Sequence, residues 1–133
     1  MTKSELWFRR VVLIGVLGNW SFAVAVFINA NALVTFLKLG QLQSTVWLFN
    51  YSVLLSLLSC FYIPAAYRPF RYRVNCWLLV LCRLIPATTF FIGVFLSYMP
   101  GGFLMLGIGD ASIGVTEAVL LVLLLRHKES SVN

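Results

Sequence analysis

GFLMLGIGDASIGVTEAVLLVLLLRHK, residues 102–128, has the composition of a membrane helix, yet it carries two carboxylates, Asp110 and Glu117. Crossing the roughly 30 Å of hydrocarbon in a bilayer takes about 20 consecutive apolar residues. The run 103–125 supplies that length, and three more runs of comparable length precede it at 11–37, 45–64 and 75–98. Apolar and aromatic residues make up 61% of the 133-residue chain and charged residues only 11%, with a mean hydropathy of +0.94. That is too little charge to coat a soluble domain of this size. Stretches such as SVLLSLLSCFYI do not alternate apolar with polar residues, as a membrane β-barrel requires. The expected fold is therefore all-α, a single integral membrane four-helix bundle over 1–133. Arg9 and Arg10 ahead of the first run, with Ala30-Asn31-Ala32 behind it, imitate a cleavable signal. The apolar run is longer than a signal core, so it is read as a retained span.

Basic residues set the expected orientation. Lys3, Arg9 and Arg10 precede the first span, Arg68, Arg71 and Arg73 lie between the second and third, and Arg126 and Lys128 follow the fourth. The other side has Lys38 alone, and the connector MPGG is uncharged. The positive-inside rule then places both termini in the cytoplasm, N-in and C-in, with a bacterial cytoplasmic (inner) membrane as the expected location. Net charge of +6 calls for membrane lipids as partners and for no nucleic acid. The middle loop interleaves Arg68, Arg71 and Arg73 with Tyr67, Phe70 and Tyr72. It reads either as an interfacial anchor or as a dock for a cytoplasmic subunit or anionic headgroup. Pro64 is expected to end the second helix.

No metal site is expected. Cys60, Cys76 and Cys82 form no CxxC pair, and the single histidine, His127, lies in the basic tail. A haem held between two intramembrane histidines of this chain is excluded. No nucleophile–base set or nucleotide loop is present, so nothing reads as a self-contained enzyme.

Three ionisable residues fall inside spans: Arg83, Asp110 and Glu117. Each costs about 2.5–3.5 kcal/mol at a helix centre even on lenient insertion scales, so each should face protein or water. At 1.5 Å per residue, Arg83 and Glu117 lie at similar depths, roughly 12 and 13 Å from the basic end. The expected pair is therefore Arg83 with Glu117, which leaves Asp110 as the acid with a separate role. Asn19 joins the lower level, and Asn50 and Asn29 join Asp110 at the upper level. Two readings of this spine stand. It locks the helices together, or it marks a proton or ligand path.

Arg9-Arg10 ahead of Gly15, the turn from Pro64 to Tyr72, and Gly109-Asp110 followed by Gly114 give the chain a pattern that resembles the DoxX-like four-helix membrane proteins. That resemblance implies an accessory or quinone-associated subunit of a membrane oxidoreductase. The lysine often found late in the family's first helix has no counterpart here except Lys38. Two functions are thus expected. One is a non-catalytic subunit that binds another membrane protein. The other is a self-associating, proton-coupled transporter or channel using Asp110 and Glu117. The residues themselves call for no cofactor, with a quinone or a lipid left open as ligand.

Overall fold

The computed structural model describes residues 3–41 and 44–130, with side chains up to Arg126; the side chains of His127 and Lys128 lie outside the described set. Four helices carry the chain: α1 (Lys3–Phe36), α2 (Val46–Tyr67), α3 (Arg73–Phe95) and α4 (Phe103–Ser130). Each is long and apolar enough to cross a membrane, which points to an integral membrane protein. Short connections make consecutive helices antiparallel. Around the bundle α1 packs on α2 and α4, and α3 packs on α4 and more thinly on α2.

The helices depart from the expected spans where local chemistry allows. α1 begins at Lys3, with Glu5 in its first turn, where an acid meets the positive end of the helix dipole. Pro64 does not end α2, which runs on to Tyr67. The ring removes a single donor, and Arg68 N–H still bonds the Pro64 carbonyl at 3.0 Å. The stop belongs to Pro69, which disfavours helical geometry at the residue before it, and Arg68 sits at φ −137°, ψ 66°. Asn29 breaks α1 with φ −159°, ψ 88°. Its side-chain oxygen accepts the Ala32 N–H at 3.0 Å, so it caps the short helical piece beyond it.

Two helix ends close the face opposite the termini. Leu39 N–H reaches the Val34 carbonyl and Lys38 N–H the Thr35 carbonyl, with Lys38 at φ +53°. Tyr98 N–H and Ser97 N–H repeat the arrangement on Gly93 and Val94, with Ser97 at φ +60°. These are Schellman closures, in which a left-handed residue lets the last carbonyls be satisfied. They bring the two loops into contact. Gly40, at φ +85°, lies against Pro100, and Gly102 lies directly on the carbonyl oxygens of Leu37 and Lys38.

Two apolar cores divide the bundle. Phe8, Val12, Val16, Tyr62, Leu79, Leu121 and Leu124 fill the end that carries the termini, while Val26, Ala30, Val34, Leu39 and Leu48 fill the other. Gly102→Val would drive a side chain into two backbone oxygens that cannot move independently. It is expected to destabilise the bundle by about 1–3 kcal/mol, the usual cost of overpacking. Thermal unfolding in detergent measures this, with Gly101→Ala as control, because a Cβ there meets nothing within 4 Å. Equal stability of the two variants would refute the interlocked loops.

Candidate functional site

Between the two cores lies a chain of polar groups drawn from all four helices. Ser59 of α2 donates its hydroxyl to the Leu55 carbonyl at 2.8 Å and accepts from Asn19 Nδ2 of α1 at 2.9 Å. That fixes the Asn19 amide with its Oδ1 toward α3, where it accepts from Arg83 Nη1 at 2.9 Å. The same Nη1 donates to Asp110 Oδ1 of α4 at 2.7 Å, a charge-assisted contact. Arg83 and Asn19 are each only 5% exposed, and the Asp110 side chain retains 21%.

The expected pairing is therefore reversed: Arg83 takes Asp110, and Glu117 is left over. Glu117 is 1% exposed, and neither carboxyl oxygen has a hydrogen-bond partner. Glycines explain how both acids come within reach. A Cβ added at Gly114 would lie 2.8 Å from Arg83 Cβ, so the arginine stem rests on that glycine. Asp110 is four residues before Gly114 and Glu117 three after it. Each acid is thus about one helical turn from the stem, in opposite directions. Depth alone could not choose between them. Asn19, held by Ser59, supplies a second acceptor on the Asp110 side, and the guanidinium turns there. On the other side Glu117 leads one turn down to Leu121, within the apolar core. Gly15 makes room for the head group, since a Cβ there would meet Arg83 Nη2 at 2.6 Å and Glu117 Oε1 at 3.5 Å.

The remaining asparagines do not join the cluster. Asn29 is exposed at the kink and caps a helix. Asn50 is exposed on α2, and its neighbour Tyr51 faces the site instead. One residue turns a helix by about 100°, so a position read from depth alone picks either neighbour equally well. Tyr51 and Ser59 stand eight residues apart on one face of α2, and that period was the available signal for both.

The basic loop is shorter than expected. Tyr67 closes α2 and Arg73 opens α3, while Arg68, Arg71 and Arg73 are exposed and Tyr72 is half-buried. Arg9 of α1 lies over the Tyr67 ring at 3.7 Å, tying the first helix to this turn. Pro69 is buried beneath, its carbonyl 3.6 Å from Cys76 Sγ.

Cavities flank the polar chain. One of about 220 Å³ is bounded by Gly18, Phe22, Tyr51, Phe90 and Gly109, with Arg83, Asp110 and Asn19 as its polar wall. A second, of about 260 Å³, shares Phe22, Tyr51 and Phe90 and continues toward Trp47 and Met99. A third, of about 150 Å³, reaches the same three polar residues from the α2–α3 side, past Pro86. Among the described residues, no group of three or more His, Cys, Asp or Glu side chains is placed to hold a metal ion.

No family model, no curated protein and no solved structure matches this chain. Its chemistry must be read from the site itself.

Proposed function

We propose that the chain is a non-catalytic integral membrane subunit that binds another membrane protein, as an accessory or quinone-associated component of an electron-transfer complex. The supporting observation is where the charged centre lies. Apolar cores separate it from both ends of the bundle, and apart from its own polar wall the cavities beside it are lined by apolar and aromatic side chains. This arrangement suits holding a group in the plane of the bilayer better than passing water from end to end. Exposed Asn50 adds a reason for a protein partner or self-association. An amide facing hydrocarbon gains from a donor or acceptor on another helix.

The resemblance to DoxX-like proteins points the same way. Arg9, Arg68, Arg71 and Arg73 gather at the end that carries the termini, opposite Lys38. By the positive-inside rule that end faces the cytoplasm, in a bacterial inner membrane. The test is gentle-detergent isolation of the native assembly and mass spectrometry of the intact complex. A stoichiometric foreign membrane subunit is expected, with its share reduced by Asn50→Leu. A monodisperse chain with an activity of its own would overturn the reading.

Glu117 favours a second reading, a homo-oligomeric proton-coupled transporter or channel. A buried acid without a hydrogen-bond partner, beside a single arginine already paired elsewhere, is the kind of group that marks proton paths in membranes. Proton flux in liposomes should then vanish in both Asp110→Asn and Glu117→Gln. Unchanged flux in both removes this alternative.

A further inference from the structure

We infer that the space between α1 and α4 at Gly18 and Gly109 is a lateral portal from the hydrocarbon to the Arg83–Asp110 wall, and that the cavity behind it takes the head of a neutral, oxygen-substituted single-ring amphiphile. This deepens the reading of the chain as a subunit that holds a group within the bilayer, and rests on it.

Glycines in membrane helices ordinarily let two helices approach closely. Gly107 and Gly114 follow that rule, since a Cβ at either meets α3 atoms at 3.3 Å or less. Gly18 and Gly109 do not: both are exposed, and a Cβ at either would meet nothing within 4 Å. They stand on adjacent helices and both border the 220 Å³ cavity. What they leave open is access to that cavity.

The cavity is not merely a packing defect. Arg83 lines it while 5% exposed, and its hydrogen bonds to Asn19 and Asp110 both leave from Nη1. That leaves Nη2, which is not among the enclosed atoms, as the donor for a ligand oxygen, and hydrogen bonds to a charged group are the strong ones. Asp110 also lines the cavity and keeps part of its side chain exposed, free to accept an O–H.

Size, walls and charge define the occupant. An apolar cavity of about 150 Å³ holds benzene. At about 220 Å³ this one has room for one ring with oxygen substituents. Phe22, Tyr51 and Phe90 supply aromatic surfaces for a flat head. Arg83 and Asp110 already compensate one another, so the head needs no charge. A guanidinium donor beside a carboxylate acceptor favours a group that both accepts and donates, as a quinol does. The hydrocarbon tail leaves through the portal between Gly18 and Gly109.

The test uses the full chain in phosphatidylcholine nanodiscs with radiolabelled 2-decylhydroquinone, kept reduced, and empty discs as background. Saturable binding of one molecule per chain is expected, tighter than for 2-decylbenzoquinone, with no competition from decanoic acid. Arg83→Gln should weaken affinity by about 10-fold or more, the loss of a hydrogen bond to a charged group. Gly18→Leu, alone and with Gly109→Leu, should slow association by a similar factor while thermal stability holds; Gly101→Leu, which faces open space elsewhere, should leave it unchanged. Unaltered association in both portal variants overturns the portal. Displacement by decanoate, or no saturable binding of either ring compound, overturns the ligand class. Neither result touches the subunit reading, because partner copurification is measured separately on the native assembly. Loss of the partner with ring binding intact would sink that reading instead.

Discussion

Arg83→Met is expected to lower the unfolding free energy of the bundle in detergent by about 3–5 kcal/mol, the cost of breaking a buried ion pair by removing one member. The substitution keeps the aliphatic stem that rests on Gly114 and removes only the head, so lost packing is a minor part of the effect. What remains is Asp110 without its cation, Asn19 Oδ1 without its donor, and Glu117 with no base nearby. A neutral interhelical hydrogen bond in a membrane protein is worth about 0.6 kcal/mol on average, because the unfolded chain in the membrane also finds partners. Asn19→Leu, which breaks only neutral or singly charged bonds, should therefore cost several times less than Arg83→Met. A buried pair replaced whole by apolar groups is often nearly neutral. Arg83→Met with Asp110→Leu should accordingly recover most of the loss. Equilibrium unfolding in mixed micelles measures all of these. If Arg83→Met costs no more than Asn19→Leu, the ion pair is not what joins α3 to α4.

The division between what the residues disclosed and what they concealed comes from the range of each signal. Long apolar runs disclose helices because crossing hydrocarbon demands both length and composition over some 20 residues, a signal too extended to miss. The three charged residues within the long apolar helices disclose that a polar centre exists, because the cost of facing hydrocarbon would force them inward. Its wiring depends on shorter distances. Gly114 seats Arg83 midway between two acids, and the choice between them is made by Asn19, a residue 64 positions away in the chain, held in turn by Ser59. The kink at Asn29 is a backbone choice at a single residue, whose side chain then caps the last turns of α1. Nor does spacing separate glycines that admit a helix from glycines that leave a gap. Gly107 and Gly109 are two apart and do opposite things, because successive residues of a helix face different neighbours.

Asp110→Asn and Glu117→Gln are expected to have unequal effects singly and a larger one together. Asp110→Asn keeps a side-chain oxygen for Arg83 Nη1 but removes the charge, and should cost about 1.5–3 kcal/mol. The cost stays below that of losing the arginine because Glu117 lies one turn the other way. Gly15 leaves the space in which Arg83 Nη2 and Glu117 Oε1 both sit, so the remaining acid can take over as counterion. Glu117→Gln removes a buried carboxylate that accepts no hydrogen bond, and should leave stability near that of the parent or raise it, because an amide is cheaper to bury than a charge. In the double variant no acid is left near Arg83, and a buried guanidinium without a counterion should cost about 3–5 kcal/mol. The excess over the sum of the singles is the coupling between two acids that share one base, a non-additivity expected of residues with a common partner. A stabilised Glu117→Gln beside a destabilised Asp110→Asn would identify Asp110 as the resident counterion and Glu117 as the reserve. Equal losses in the two singles, adding simply in the double, would mean that each acid has its own partner and that Arg83 does not serve both.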